Sequence, residues 1–112
     1  MLQKIIHFNV KEGEVKRFQK WILEHQEKYA KALPPGWKYL GCYYTVFHMG
    51  RFEFQIRYEI DNFAAYDTLR AYEDKEFNRL LEEIYDFINL NFPMETEVLK
   101  SIEEVKIKGE RE

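Results

Sequence analysis

The sequence has little cysteine and no long apolar run, and both shortages limit what the protein can be. Cys42 is the only cysteine among 112 residues, so no disulfide can form within the chain. No apolar stretch approaches the length that spans a bilayer, and the first residues lack the apolar core of a signal peptide. We therefore expect a cytoplasmic protein that does not use a membrane as partner.

The chain also has little excess of charge of either sign. The formal net charge is −3, from 17 basic and 20 acidic side chains. Proteins that bind nucleic acid usually carry a positive footprint, so we expect no nucleic-acid partner. The glycine-rich loops that cradle the phosphates of dinucleotides or nucleoside triphosphates are missing as well.

Hydrophobic residues make up 46% of the chain and charged residues 33%, a balance typical of a globular domain. We expect one domain over residues 1–107 and a solvated tail over 108–112. Alternation of apolar and polar residues predicts four strands, and helical spacing predicts a helix from Glu14 to Pro34 and a second helix broken near Tyr72. The predicted strands cover 2–10, 37–48, 51–60 and 96–107.

The resulting order, β-α-β-β-α-β, predicts an α+β fold of the ferredoxin-like, split βαβ class. In that topology an antiparallel sheet has the strand order 4-1-3-2. The first and third strands then lie side by side at its centre, and both helices cover one face. The opposite face meets solvent, a partner or a ligand.

The third strand has the clearest pattern. Phe54, Ile56 and Tyr58 alternate with charged or amide side chains, so one face is apolar and the other polar. In the second strand the same alternation predicts Cys42 and Tyr44 on one side, with Tyr39, Tyr43 and Thr45 on the other. A short connection, His48-Met49-Gly50, is expected between these two strands.

Polar side chains of the two central strands should lie within cross-strand reach on the helix-free face. An imidazole beside a carboxylate suits acid–base chemistry, and amide and guanidinium groups suit hydrogen-bond recognition. The alternative, a polar face that only contacts water and has no functional site, is equally open, because an antiparallel sheet often exposes a polar face to water. The catalytic candidates are His7 and Glu53, and the ligand-binding candidates are Asn9, Tyr43, Gln55 and Arg57.

The remaining chemically active residues favour structural roles. His25 lies on an apolar helical stripe, and His48 lies in a turn. The histidines show no metal-ligand spacing, so we expect no metal site and no cofactor. Cys42 shares a face with apolar neighbours, which favours a buried thiol over a nucleophile.

The chain resembles the dimeric α/β-barrel superfamily of ferredoxin-like proteins over almost all of residues 2–107. That group includes antibiotic-biosynthesis-monooxygenase-like, stress-responsive-barrel and NIPSNAP-like domains. The resemblance is carried by the strand order, by Gly-Trp-Lys-Tyr-Leu-Gly at 36–41, and by Asp-Asn-Phe-Ala-Ala-Tyr at 61–66 followed by Asp-Lys-Glu-Phe at 74–77. These patterns are specific to a fold group and not to an activity.

The resemblance implies a homodimer whose two sheets meet through their helix-free faces, with a cavity between sheet and helices in each protomer. Cofactor-free monooxygenases of the group use an asparagine on the first strand, a position that Asn9 matches. Haem-degrading members use Trp and His on the second helix, and residues 62–92 contain neither. Two hypotheses follow: a dimer that binds a small molecule without catalysis, or a cofactor-independent oxygenase or isomerase with His7 as base and Glu53 orienting it.

Overall fold

The fold is the expected βαββαβ unit, with its second helix broken in two. The computed structural model describes residues 1–46 and 52–105. Short 3-10 turns follow the second helix (Thr68–Ala71) and the last strand (Ile102–Glu104). The main elements in chain order are β1 (Leu2–Phe8), α1 (Val15–Ala32), β2 (Trp37–Tyr44), β3 (Phe54–Ile60), α2 (Phe63–Asp67), α3 (Lys75–Phe87) and β4 (Glu95–Lys100).

The four strands form one antiparallel sheet in the order β2-β3-β1-β4, which is the predicted order counted from the other edge. The α+β, ferredoxin-like prediction is therefore confirmed. Within the described chain the sheet is open and does not close into a barrel.

The predicted faces of the central strands are confirmed as well. Phe54, Ile56 and Tyr58 are each at most 5% exposed and belong to the core under the helices. Burial of each such side chain contributes about 1.5–3 kcal/mol. Gln55 and Arg57, on the other face of β3, are half-buried. The polar face predicted from the alternation is therefore the face that the helices leave uncovered.

The prediction for Tyr39 was wrong. Tyr39 pairs with Tyr58 and packs on the core, on the same side as Cys42, which pairs with Ile56. The cause is a register shift between Tyr39 and Gly41, which leaves Leu40 as an extra residue in β2. A bulge of this kind reverses the alternation on one side of it, so a strict two-residue period places Tyr39 on the wrong face.

Both halves of the broken second helix, α2 and α3, begin at a side-chain cap. Asn62 Oδ1 accepts a hydrogen bond from the Ala65 N–H at 2.8 Å, and Asp74 Oδ1 accepts one from the Phe77 N–H at 2.8 Å. Each cap satisfies a helix N–H that has no partner within the helix, which typically contributes about 1 kcal/mol.

The last strand is shorter than predicted, since β4 ends at Lys100 and not at residue 107. Ser101 Oγ accepts a hydrogen bond from the Glu103 N–H at 3.4 Å, and the chain turns there instead of extending the ladder. All six residues of β4 are exposed. The predicted turn at His48 lies outside the described residues.

Among the described residues, no helix is both long and apolar enough to cross a membrane.

Candidate functional site

A groove of about 340 Å³ opens between α1 and the adjoining ends of β2 and β3. Phe18 and Phe54 are buried at its base, whereas Leu23 is 67% exposed and Tyr44 is 56% exposed. Large apolar side chains are thus available at this opening without a covering element among the described residues. The lining residues are Val15, Phe18, Gln19, Ile22, Leu23, Cys42, Tyr43, Tyr44 and Phe54.

The helical period explains why α1 lines this groove. Phe18, Ile22 and their neighbours recur at spacings of three and four residues, which places them on one face of the helix. Val15, at the start of α1, is 37% exposed. Val15 borders the opening of the groove, whereas Phe18, in the same first turn, packs edge-to-face against Phe8 and Phe54 of the sheet.

The lining of the groove contains no Asp, Glu, Lys, Arg or His side chain among the described residues. Burial raises the pKa of the Cys42 thiol to about 12, so this sulfur stays protonated. Gln19 adds an uncharged amide. An apolar concavity with a few neutral polar groups is the usual composition of a small-molecule pocket.

A tyrosine pair lies deeper in the core and joins α1 to the sheet. Tyr29 Oη and Tyr58 Oη are 2.6 Å apart, and Tyr39 Oη donates to Gln26 Oε1 at 3.1 Å. Burial raises the pKa of Tyr29 to about 12 and raises that of Tyr58 well above its ordinary value. These hydroxyl groups are therefore neutral hydrogen-bonding partners that position the helix over the sheet.

On the helix-free face, the carboxylate that contacts His7 comes from β4. His7 Nε2 lies 2.6 Å from Glu97 Oε1, and the imidazole ring is 5.9 Å from the Phe52 ring. Glu53 is the predicted orienting carboxylate, but no hydrogen bond joins its side chain to His7 within the described chain. Glu97 was missed, although the placement of the fourth strand beside the first and its alternation could have revealed it.

Three other predicted residues do come together on this face. Tyr43 pairs with Gln55 across β2 and β3, and Arg57 Nε donates to Gln55 Oε1 at 2.5 Å. The Arg57 guanidinium also lies 5.5 Å from the centroid of the Tyr43 ring. Gln55 is the direct register partner of His7, so the predicted juxtaposition of the two central strands is present.

Asn9, one of the predicted ligand-binding residues, joins two segments of backbone through hydrogen bonds. It follows β1 and is 7% exposed, and its Oδ1 accepts a hydrogen bond from the Glu53 backbone N–H at 2.7 Å. Its backbone carbonyl also accepts from the Asn89 N–H at 2.8 Å. Asn9 therefore fixes the segment before β3 to the end of β1.

The described histidines and carboxylates do not gather into a metal site. Within residues 1–46 and 52–105, no group of three His, Cys, Asp or Glu side chains is placed to hold an ion. His25 Nδ1 lies 2.8 Å from the Trp21 carbonyl oxygen, and its ring stacks on the Trp21 indole at 4.5 Å. His25 thus has the hydrogen-bonded packing role that its helical position predicts.

Comparison with solved structures identifies the fold of this chain. No family model matches the chain, and no curated protein matches it. A NIPSNAP domain protein from Burkholderia xenovorans superposes with a TM-score of 0.71 at 14% identity, over 96% of this chain and all (100%) of the other. The chain has a ferredoxin-like fold, as do solved structures that match it.

Two further solved structures agree with that assignment. A dimeric ferredoxin-like protein of unknown function from Thermobifida fusca YX matches at 16% identity with a TM-score of 0.63, over 88% of both chains. An antibiotic biosynthesis monooxygenase-like protein from Nitrosomonas europaea matches at 11% identity with a TM-score of 0.64, over 91% of this chain and 99% of the other. The predicted resemblance is confirmed at the level of the fold. At these sequence identities, a shared fold does not establish a shared activity.

Proposed function

We propose that this protein binds a small, mainly apolar and uncharged molecule in the groove between α1 and the sheet, as a cytoplasmic homodimer. The observation that carries the proposal is the lining of the groove. Helix and strands both present uncharged side chains to a volume of about 340 Å³, with Leu23 and Tyr44 exposed at the opening. Transfer of an apolar ligand onto these surfaces removes apolar area from water on both sides.

The neutrality of the groove selects the class of ligand. The raised pKa of Cys42 leaves a thiol and no thiolate, and Gln19 offers an amide to a hydroxyl or carbonyl group. A charged ligand would lose hydration here without gaining an opposite charge, which is costly. Uncharged aromatic or alicyclic molecules with one or two oxygen atoms fit these conditions.

The dimer is supported by apolar exposure on the last strand. Leu99, on the helix-free side of β4, is 44% exposed, and Ile102 just beyond it is 74% exposed. A second copy that covers the helix-free face would remove these side chains from water. The solved relative from Thermobifida fusca YX is itself described as dimeric. Light scattering after size exclusion should give twice the mass of the chain, and a monomer at micromolar concentration would contradict the dimer.

A fluorescence titration with the neutral probe N-phenyl-1-naphthylamine tests the groove. We expect saturable enhancement with the wild-type protein. Leu23→Trp should weaken binding at least about tenfold, because the larger ring fills the opening from an exposed position that the core does not need. Glu24→Trp is the matched control, since it adds the same ring to an exposed neighbour outside the lining. Equal binding by both variants would refute the assignment of the groove.

One observation favours a second candidate function, a cofactor-independent oxygenase or isomerase. The 2.6 Å contact between His7 Nε2 and Glu97 Oε1 is the geometry that orients an imidazole for proton transfer. Arg57, on the neighbouring strand, would stabilise a developing oxyanion. In a substrate screen followed by oxygen uptake and product analysis, His7→Ala should abolish any turnover without dissociating the dimer. Turnover that persists in this variant would eliminate His7 as the base.

A further inference from the structure

Lys4 projects from the middle of β1 into the helix-covered side of the sheet, where charged side chains are rare. Its side chain is half-buried, and its register partners are Tyr58 on β3 and Val98 on β4. The ammonium nitrogen lies 5.2 Å from the Trp37 ring centroid and 5.0 Å from the Tyr66 ring centroid. Two aromatic faces thus flank one cation.

Within the described chain, the Lys4 ammonium forms no ion pair or hydrogen bond with a carboxylate. Neither register partner carries a negative charge, and the Trp37 indole N–H is already donated to the Ala65 carbonyl at 2.7 Å. Loss of hydration lowers the pKa of Lys4, with no opposing charge to raise it. Aromatic faces offset part of that cost, but they supply no hydrogen-bond acceptor for the three N–H groups.

A second ammonium group, that of Lys100, also lies near an aromatic ring of α2, the helix that carries Tyr66. Lys100 pairs with Leu2, two residues before Lys4, and its Nζ is 6.0 Å from the centroid of the Phe63 ring. Phe63 and Tyr66 are three residues apart on α2 and therefore share one side of that helix. Two cations and two aromatic rings are thus presented by β1, β4 and α2 at one end of the sheet.

We propose that Lys4, assisted by Lys100, binds the carboxylate of a small aromatic acid at this end of the sheet. A carboxylate would supply the acceptor that the Lys4 ammonium lacks, in a charge-assisted hydrogen bond. The rings of Trp37 and Tyr66 would contact the apolar part of the acid. An aromatic carboxylate suits this setting better than phosphate, which is more strongly hydrated and gains less from aromatic neighbours.

The proposed acid site is separate from the α1 groove. Trp37 begins β2, whereas the groove uses Cys42 and its neighbours at the other end of that strand. Binding at the two sites therefore depends on different residues, and either can fail without the other.

Sodium benzoate is the probe, with benzyl alcohol as its uncharged counterpart. We expect benzoate to shift the NMR signal of the Trp37 indole N–H with a dissociation constant on the order of 1 mM, and benzyl alcohol to leave it unshifted. Lys4→Met should weaken benzoate binding at least about tenfold, whereas Lys4→Arg should keep most of it. Leu23→Trp, which closes the groove, should leave benzoate binding unchanged.

Lys38→Met is the matched control, because Lys38 is exposed on the helix-free face of β2, where it pairs with Glu59. It should bind benzoate like the wild type. The Lys4→Arg protein guards against a loss caused only by unfolding. Unchanged binding by Lys4→Met, equal shifts from benzyl alcohol, or equal weakening by Lys38→Met would each overturn the proposal.

Discussion

The hydroxyl oxygens of Tyr29 and Tyr58 lie 2.6 Å apart inside the core, where α1 crosses the sheet. Tyr29 is 3% exposed and Tyr58 is 4% exposed, so water cannot easily replace either partner. Each hydroxyl therefore depends on the other for its hydrogen bond. This pair fixes the position of the helix whose first half forms one side of the groove.

Tyr29→Phe should destabilise the fold by about 1–3 kcal/mol, because it leaves the Tyr58 hydroxyl buried without its partner. The double variant with Tyr58→Phe should lose less than the sum of the two single changes, because no buried hydroxyl is then left unpaired. Urea denaturation of the four proteins measures this coupling. Additive losses would show that the two hydroxyl groups do not depend on each other.

Alkaline pH should weaken the fold through the same pair. A phenol ordinarily ionises near pH 10, and burial raises the pKa of Tyr29 to about 12. The folded state thus holds a proton that the unfolded state releases, so this stabilisation is complete below pH 10 and is lost between pH 10 and 12. The free energy of unfolding should fall over that interval by up to about 2–3 kcal/mol, and by less in the Tyr29→Phe, Tyr58→Phe double variant. The same loss in both proteins would assign it to other groups.

Gly36 and Gly13 provide a matched test of close packing in the turn after α1. Both have positive φ, +84° and +80°, but a Cβ at Gly36 would lie 2.6 Å from Ala65 Cβ, whereas a Cβ at Gly13 would meet nothing within 4 Å. Gly13→Ala should cost about 1–2 kcal/mol through its backbone alone. Gly36→Ala should cost about 1–3 kcal/mol more, since α2 must move. Thermal unfolding of the two variants measures the difference, and equal losses would contradict the close approach.

Cys42 should react slowly in the folded protein. With its pKa raised to about 12, only a very small fraction of the thiol is ionised at pH 8.5. Alkylation by iodoacetamide, followed by peptide mass spectrometry, should be at least about a hundredfold slower in the native protein than in urea. Comparable rates of alkylation in the native protein and in urea would mean that the thiol is not buried and that its pKa is not raised.

Much of the fold could be predicted because local signals and the global topology agree. The alternation through Phe54, Ile56 and Tyr58 predicts a strand with one buried face, and helical spacing predicts a second helix broken near Tyr72, where the structure has α2 and α3. Each of these signals lies within a few residues of its structural consequence. Such local signals can be read from a single sequence.

The candidate site was harder to predict, because it depends on pairing and on empty space. The bulge at Leu40 turns Tyr39 toward the core, and it arises from the register between β2 and β3. Glu97 reaches His7 only because β4 lies beside β1. The groove is a gap between α1 and the strand ends, and residue periodicity reports which side chains face inward but not where packing is incomplete.

The most direct test of the proposed ligand groove uses its own thiol, because Cys42 is the only cysteine in the chain and lies in the lining. Alkylation of Cys42 is measured in the native protein with and without saturating N-phenyl-1-naphthylamine. A ligand bound in the groove covers the sulfur, so the reaction should slow at least about fivefold in the wild-type protein and remain unchanged in Leu23→Trp. An equal rate with and without the probe in the wild-type protein would place the ligand elsewhere and contradict the proposed function.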